Sequence, residues 1–204
     1  MSEGPLSGIK VLEFGQNLAG PYCGQILTFL GATVVKIERP EGDDARRWGP
    51  PFIDEDDSPA VAFVALNRGK KSTVIDLNKK GDREHLINLI GDSDIFLHNI
   101  RVDVPKTFGF DSYTLTKKFP KLIYANLGAF GHKGPWKERP GYEPIIQAMA
   151  GLMSINGDPT APPARVGVSI IDLSTGMWTA IGILSALAQR SNTGKGCVVD
   201  TSLF

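Results

Sequence analysis

The sequence predicts an α/β fold, an open and mainly parallel sheet with flanking helices. Two observations predict it. Short β-branched or alternating apolar runs recur along the chain with helical patterns between them, and the first forty residues already have a strand–helix–strand order that joins parallel strands.

Ile9 to Phe14 alternates apolar and polar residues and meets Gly15, which reads as a strand. A loop, Gly15 to Pro21, leads into a helix of about ten residues with Ile26, Leu27, Phe29 and Leu30 apolar, stopped by Gly31. Thr33 to Glu38 is the second strand and completes a βαβ unit. Residues 40–58, rich in Gly, Pro, Asp and Glu, read as a surface excursion of the kind that often carries function. A short helix over Pro59 to Leu66 precedes the basic turn Asn67 to Ser72 and a strand from Thr73 to Leu77.

Asn78 to Ile90 has the spacing of an amphipathic helix, Asp94 to His98 of a strand, Ser112 to Lys118 of a short helix and Leu122 to Leu127 of another strand. Gly128 to Tyr142 is a glycine- and proline-containing loop, and Glu143 to Met153 a helix with Ile145, Ile146, Met149 and Leu152 on its inner stripe. After the turn-rich residues 156–163 comes a long apolar helix running to about Arg190, then a strand from Gly196. A strand so near residue 204 suggests an incomplete domain.

Lys plus Arg and Asp plus Glu number 22 each, so no global charge favours nucleic acid or an acidic membrane as partner. Met1 to Pro5 lacks the basic and apolar regions of a signal peptide, and Met177 to Ala188 is too short to span a bilayer. Cys23 and Cys197 stand far apart without metal-type spacing, which suits reduced thiols in the cytoplasm.

Several chemistries are excluded by spacing. Glycines at 15, 20 and 24 do not form the dinucleotide pattern, Val64 stands where a phosphate loop ending at Gly69 needs glycine, and no Gly-x-Ser-x-Gly elbow occurs. His85, His98 and His132 have no metal-ligand spacing; His98 is assigned to a strand end and His132 to a solvated loop. What remains is cations near the predicted strand ends: Lys36, Arg39, Arg68, Lys70, Lys71 and Arg101. Ligands of open parallel sheets bind beyond the strands' carboxyl ends, where such cations suit a phosphate-bearing ligand. Loops carry Lys and Arg anyway, so this pattern alone leaves the choice open.

Asp172 is the sole ionised side chain between Arg165 and Arg190. In the first turn of a helix the macrodipole and free N–H groups favour a carboxylate, which suits a cap or a catalyst. Position alone favours the cap, because Asp is a preferred N-cap residue.

Ile9-Lys-Val-Leu-Glu-Phe-Gly with Ala19-Gly-Pro21, Leu30 to Pro40, Asn67 to Ser72, Asn99-Ile-Arg101, Gly131 to Pro135, Arg139-Pro-Gly-Tyr-Glu143 and Gly194-Lys-Gly196 together resemble the class III CoA-transferases, including the formyl-CoA and carnitine CoA-transferases, in the family's order. The resemblance implies a Rossmann-like large domain, of which residues 1–204 would be the N-terminal part, with a second small domain and a C-terminal return segment absent. It implies CoA transfer between an acyl-CoA and a carboxylic acid through an aspartyl intermediate, with CoA or acyl-CoA as substrate and no permanently bound cofactor or metal. An interlocked homodimer is implied for the full-length form.

Within the resemblance, Gly167 to Gly176 matches the segment of the catalytic aspartate, making Asp172 the nucleophile, and Glu143 matches an acidic position beside it. Asn17, Leu18 and Ala19 match the thioester end, Asn99 and Ile100 a pantetheine contact, and Arg39, Lys70 and Lys71 the nucleotide end. Leu18 replaces a glutamine of the formyl-CoA transferases; Thr107 replaces a frequent arginine, with Lys106 nearby to supply charge. The same family contains α-methylacyl-CoA racemases, whose second acid–base group is a histidine where this chain has Tyr142, a poor base near neutral pH. Racemisation is therefore the runner-up, and a non-catalytic CoA-binding fragment the rival from another class.

Overall fold

The computed structural model describes residues 4–54 and 58–204. Residues 55–57 of the predicted excursion and residues 1–3 of the N-terminal stretch lie outside the described residues. Six parallel strands form one sheet in the order β3-β2-β1-β4-β5-β6. They are β1 (Lys10–Phe14), β2 (Thr33–Glu38), β3 (Lys71–Val74), β4 (Ile95–His98), β5 (Ile123–Gly128) and β6 (Val198–Ser202). The helices are α1 (Ala19–Phe29), α2 (Val61–Asn67), α3 (Lys80–Gly91), α4 (Asp103–Phe108), α5 (Ser112–Lys118), α6 (Glu143–Met149) and α7 (Ile170–Thr193).

Both faces of the sheet are covered, as parallel strands require. The period of two along β1 sends Val11 to one face, with Cys23, Leu27, Val34, Ala180 and Ile183, and Leu12 and Phe14 to the other, with Ile37, Leu86, Ile90, Phe96 and Leu115. The same period puts Glu13 beneath α1 beside its register partner Lys36 of β2, both fully buried. Gly24 makes room there: a Cβ on it would lie 1.9 Å from Glu13 Oε2.

Several predicted boundaries move. The third strand starts at Lys71 and ends at Val74 because it pairs with β2 from Val35 to Glu38, so the last two residues of the expected basic turn, Lys71 and Ser72, are strand. The sixth helix ends at Met149 instead of Met153, since Gly151 turns left-handed at φ 81°. Gly31, at φ 99°, ends α1 as expected. The segment after β2 is partly core: Asp43 and Ala45 are buried and residues 44–47 form a 3-10 turn. Helix α4 was unforeseen, since Pro105 sits inside it; a Pro near a helix start loses no hydrogen bond. At 24 residues, α7 is longer than expected and is long and apolar enough to cross a bilayer by length and composition alone. One face of it packs against α1, β5 and β6.

Candidate active site

A cavity of about 610 Å³ opens beyond the carboxyl ends of β1, β4 and β5. It stands where the strand order reverses between β1 and β4, the crevice in which open α/β sheets bind ligands. Its walls are the turns after β1 (residues 16–19) and β4 (99–102), the end of β5, the loop 137–142 leading into α6, and the start of α7.

Asp172 is the third residue of α7 and lines this cavity. The cap reading is not realised: Ser169 holds the N-cap position, and among the described residues the Asp172 carboxylate accepts no backbone hydrogen bond. The side chain therefore meets the cavity instead of its own helix. Burial and the nearby Glu143 charge push its pKa up to about 6.

Glu143 opens α6 and is 4 % exposed. Its Oε1 accepts from Gln147 Nε2 at 2.6 Å and from the Ile171 amide at 3.4 Å, while Oε2 is buried without a hydrogen-bond partner. Gln147 in turn accepts from the Val166 amide at 2.8 Å. Two α6 side chains thus hold the chain on which Asp172 sits, and one Glu143 oxygen is left without a hydrogen-bond partner.

Across the cavity, α7 meets the start of α1 closely because residue 176 is glycine. A Cβ there would lie 2.8 Å from the Ala19 carbonyl oxygen and 3.3 Å from the Cys23 amide nitrogen. This contact places the turn of Asn17, Leu18 and Ala19 on the same cavity as Asp172. Asn99 fastens that turn to β4: its Oδ1 accepts from the Gln16 amide and its Nδ2 donates to the Gln16 carbonyl, both at 2.8 Å. Ile100 follows it on the wall.

The structure gathers Asn17, Leu18, Ala19, Asn99, Ile100, Glu143 and Asp172, and leaves four expected contacts elsewhere. Lys70 is buried, its ammonium already held by Glu13 Oε2 at 2.7 Å, the Pro21 carbonyl at 2.7 Å and Asn67 Oδ1 at 2.9 Å. Three acceptors saturate an ammonium, so Lys70 has no donor left for a phosphate. Lys36 is spent in the same way, on Gly15, Glu13 and Asp43. Arg39 pairs with Asp44 and donates to the Gly42 carbonyl, away from the cavity wall. Lys71 and Lys106 are exposed and also off the wall.

The cations that do line the cavity are Arg101, Lys137, Arg139 and Arg165. Of these, Arg101 was among the strand-end cations and Arg139 lay inside a matched segment; Lys137 and Arg165 went unassigned, because a loop charge has no sequence periodicity to mark where it points. Tyr142 lines the cavity too and is mostly exposed. His98 ends β4, buried against Tyr124, with Nε2 and the hydroxyl 2.7 Å apart; burial lowers its pKa to about 3, so it is neutral. His132 is exposed on its loop, with Nδ1 3.2 Å from Asp200.

The family model described as CoA-transferase family III matches residues 6–204. The chain is 40 % identical over 204 residues to the succinate–glutarate CoA-transferase of Agrobacterium fabrum, covering 98 % of this chain and 51 % of the relative. It is 41 % identical to the acetyl-CoA:oxalate CoA-transferase of Acetobacter aceti, covering 99 % of this chain and 51 % of that one. A crystal structure of a CAIB/BAIF family protein from Brucella suis superposes with a TM-score of 0.95 at 43 % identity, over 100 % of this chain and 54 % of the other. The chain spans about half the length of the curated relatives it matches.

Proposed function

The chain belongs to CoA-transferase family III, and from that membership we propose that its cavity moves CoA from an acyl-CoA to a free carboxylic acid, with Asp172 as the covalent nucleophile. One observation carries the reading: the Asp172 carboxylate on α7 faces the cavity with no hydrogen bond among the described residues and a pKa lifted to about 6 by burial and Glu143. Such a group is ionised at neutral pH and more nucleophilic than an ordinary carboxylate.

In this reading an Asp172 oxygen attacks the thioester carbonyl, the C–S bond breaks, and a mixed anhydride forms with release of CoA thiolate. The thiolate attacks the Asp172 carbonyl carbon and expels the donor acid, leaving an aspartyl-CoA thioester. The acceptor carboxylate attacks that carbon and displaces the thiolate, which then takes the acyl group from the new anhydride and frees Asp172. Each step exchanges a carboxylate and a thiolate at an acyl carbon, so no redox partner is consumed. Water must be kept from the anhydride, which a partly closed cavity favours.

Lys137, Arg139 and Arg165 supply positive charge for phosphates and for the acid, while Arg101 is already held in a bidentate pair by Asp103. The similar enzymes are named for succinate, glutarate and oxalate, and a short dicarboxylic acid is the acceptor class we favour. We further take the chain as the N-terminal part of the large domain of a longer, homodimeric, cytoplasmic enzyme. The half-length match supports this, as do the exposed apolar side chains of Met177, Trp178 and Ile181 on the outer face of α7 and the two free cysteines.

The test incubates the protein with succinyl-CoA and a panel of acids, then traps with hydroxylamine and maps the adduct by mass spectrometry. A hydroxamate at Asp172, absent in Asp172→Asn, is expected. An unmodified Asp172 in folded protein that binds CoA would sink the reading, and α-carbon deuterium exchange without acyl transfer would point to racemisation.

A further inference from the structure

Asn17 is the one non-glycine residue with positive φ, 64°, among the described residues. Most L-residues avoid that conformation, asparagine least among them, and the surroundings of Asn17 also hold it there. Here the surroundings are side chains from outside the cavity. The Asn17 amide donates to Asp43 Oδ1 at 3.0 Å, and the same oxygen accepts from the Ala45 amide at 3.0 Å. Asp43 Oδ2 pairs with Lys36 Nζ at 2.8 Å, and Lys36 donates to the Gly15 carbonyl at 2.6 Å.

The two halves of one buried ion pair therefore grip both ends of the Gly15–Asn17 turn, while Asn99 holds its middle. Asp43 and Lys36 are each 1 % exposed, and neither lines the cavity. Glu13 stands 3.4 Å from Lys36 on the other side and shares its charge with Lys70, so two anions balance two cations. Asp43 is itself pinned: its amide donates to Glu38 Oε2 at 3.2 Å, and Glu38 carries a bidentate bond from Arg46 at 2.7 Å on both oxygens.

A buried ionic network is poor value as mere stability, because desolvation cancels most of its attraction. Its geometric product is definite: a left-handed backbone turn on the wall of the cavity that Asp172 also lines. We infer that Asp43 is a positioning residue, acting through the Asn17 amide and Lys36 to hold the first turn in the shape the thioester end of the cavity requires. This inference rests on the transferase reading of the cavity; the turn-holding part of it does not.

The experiment compares wild type, Asp43→Ala and Asp43→Asn by three measurements. These are amide hydrogen exchange over residues 15–19, CoA affinity, and the rate of adduct formation at Asp172 with succinyl-CoA. Asparagine keeps the oxygen that accepts from Asn17; alanine does not. For Asp43→Ala, protection of the Asn17 amide should fall at least about tenfold, and adduct formation should slow by at least about tenfold at little changed CoA affinity. Asp43→Asn keeps an oxygen for the Asn17 amide but turns an NH2 donor toward the Lys36 ammonium, so it should fall between wild type and Asp43→Ala in both. Equal losses in the two variants, unchanged exchange in Asp43→Ala, or lost protection with an unchanged adduct rate would each overturn the inference. A wild-type protein that forms no adduct overturns the transferase reading and the catalytic part with it; the exchange arm then still decides whether Asp43 holds the turn.

Discussion

Gly176 of α7 and Ala19 of α1 touch backbone to backbone, close enough that a methyl group on residue 176 would sit 2.8 Å from the Ala19 carbonyl oxygen. Replacing a mid-helix glycine by alanine gains about 1 kcal/mol of helix propensity. Wedging α7 away from α1 costs roughly 1–3 kcal/mol, because the obstructing atoms are backbone and cannot rotate aside. The overpacking cost wins: Gly176→Ala should lower stability in urea unfolding and slow adduct formation at Asp172.

If Asp172 attacks as proposed, in its ionised form, the rate of adduct formation should rise with pH through about 6 and level off above it. An ordinary carboxylate would place that rise two pH units lower. A profile flat from pH 5 to 8 would contradict the role of burial and Glu143.

The same shift has a stability consequence of definite sign. With Asp172 raised from 3.8 to about 6 on folding, the native state holds its proton more tightly, so stability falls as pH rises through that window. Asp172→Asn removes the penalty. It should melt higher than wild type at pH 8, with the gap closing below pH 4, as measured by thermal unfolding across pH.

Glu38 shifts the opposite way. Burial alone would raise it, but the Arg46 guanidinium and the Ser72 hydroxyl hold its pKa down to about 2. Its contribution is present above the usual 4.5 and is lost as pH falls toward 2. Arg46→Ala should cost about 1–3 kcal/mol at neutral pH, less than a fully buried pair because Arg46 is partly exposed, and should flatten the acid limb of the stability curve.

Lys70→Met tests the reassignment of that lysine. Leaving Glu13 under-compensated should destabilise the fold by about 3 kcal/mol, while CoA affinity of the folded protein stays unchanged. A salt-dependent loss of CoA affinity would restore Lys70 as a phosphate contact.

The alternating strands and helices were legible because hydrophobic period reports directly on which face is buried, and the parallel sheet follows from it. Asp172 stood out as an isolated charge on an apolar helix, but its position alone favoured a cap, and the nucleophile reading came only with the resemblance of Gly167 to Gly176 to the family's aspartate segment. The ion network of Glu13, Lys36, Asp43 and Lys70 was not legible. In β1, Glu13 reads as the solvent phase of an alternating strand, and only the burial of both sheet faces turns it inward. Lys36 and Lys70 then passed for ligand cations, since a sequence shows charge without showing what already neutralises it. The wall cations Lys137 and Arg165 escaped for the complementary reason, lying in loops where no period reveals direction.

Trp178 lies six residues beyond Asp172 on α7, 67 % exposed, on the helix face that points away from the sheet. The chain therefore carries its own optical probe. Its indole emission should be red-shifted in the isolated chain and move to the blue when another protein surface covers that face. With Trp48, which lines the cavity, and Trp136 replaced by Phe, assembly on the helix that bears Asp172 can be followed by the emission of Trp178 alone.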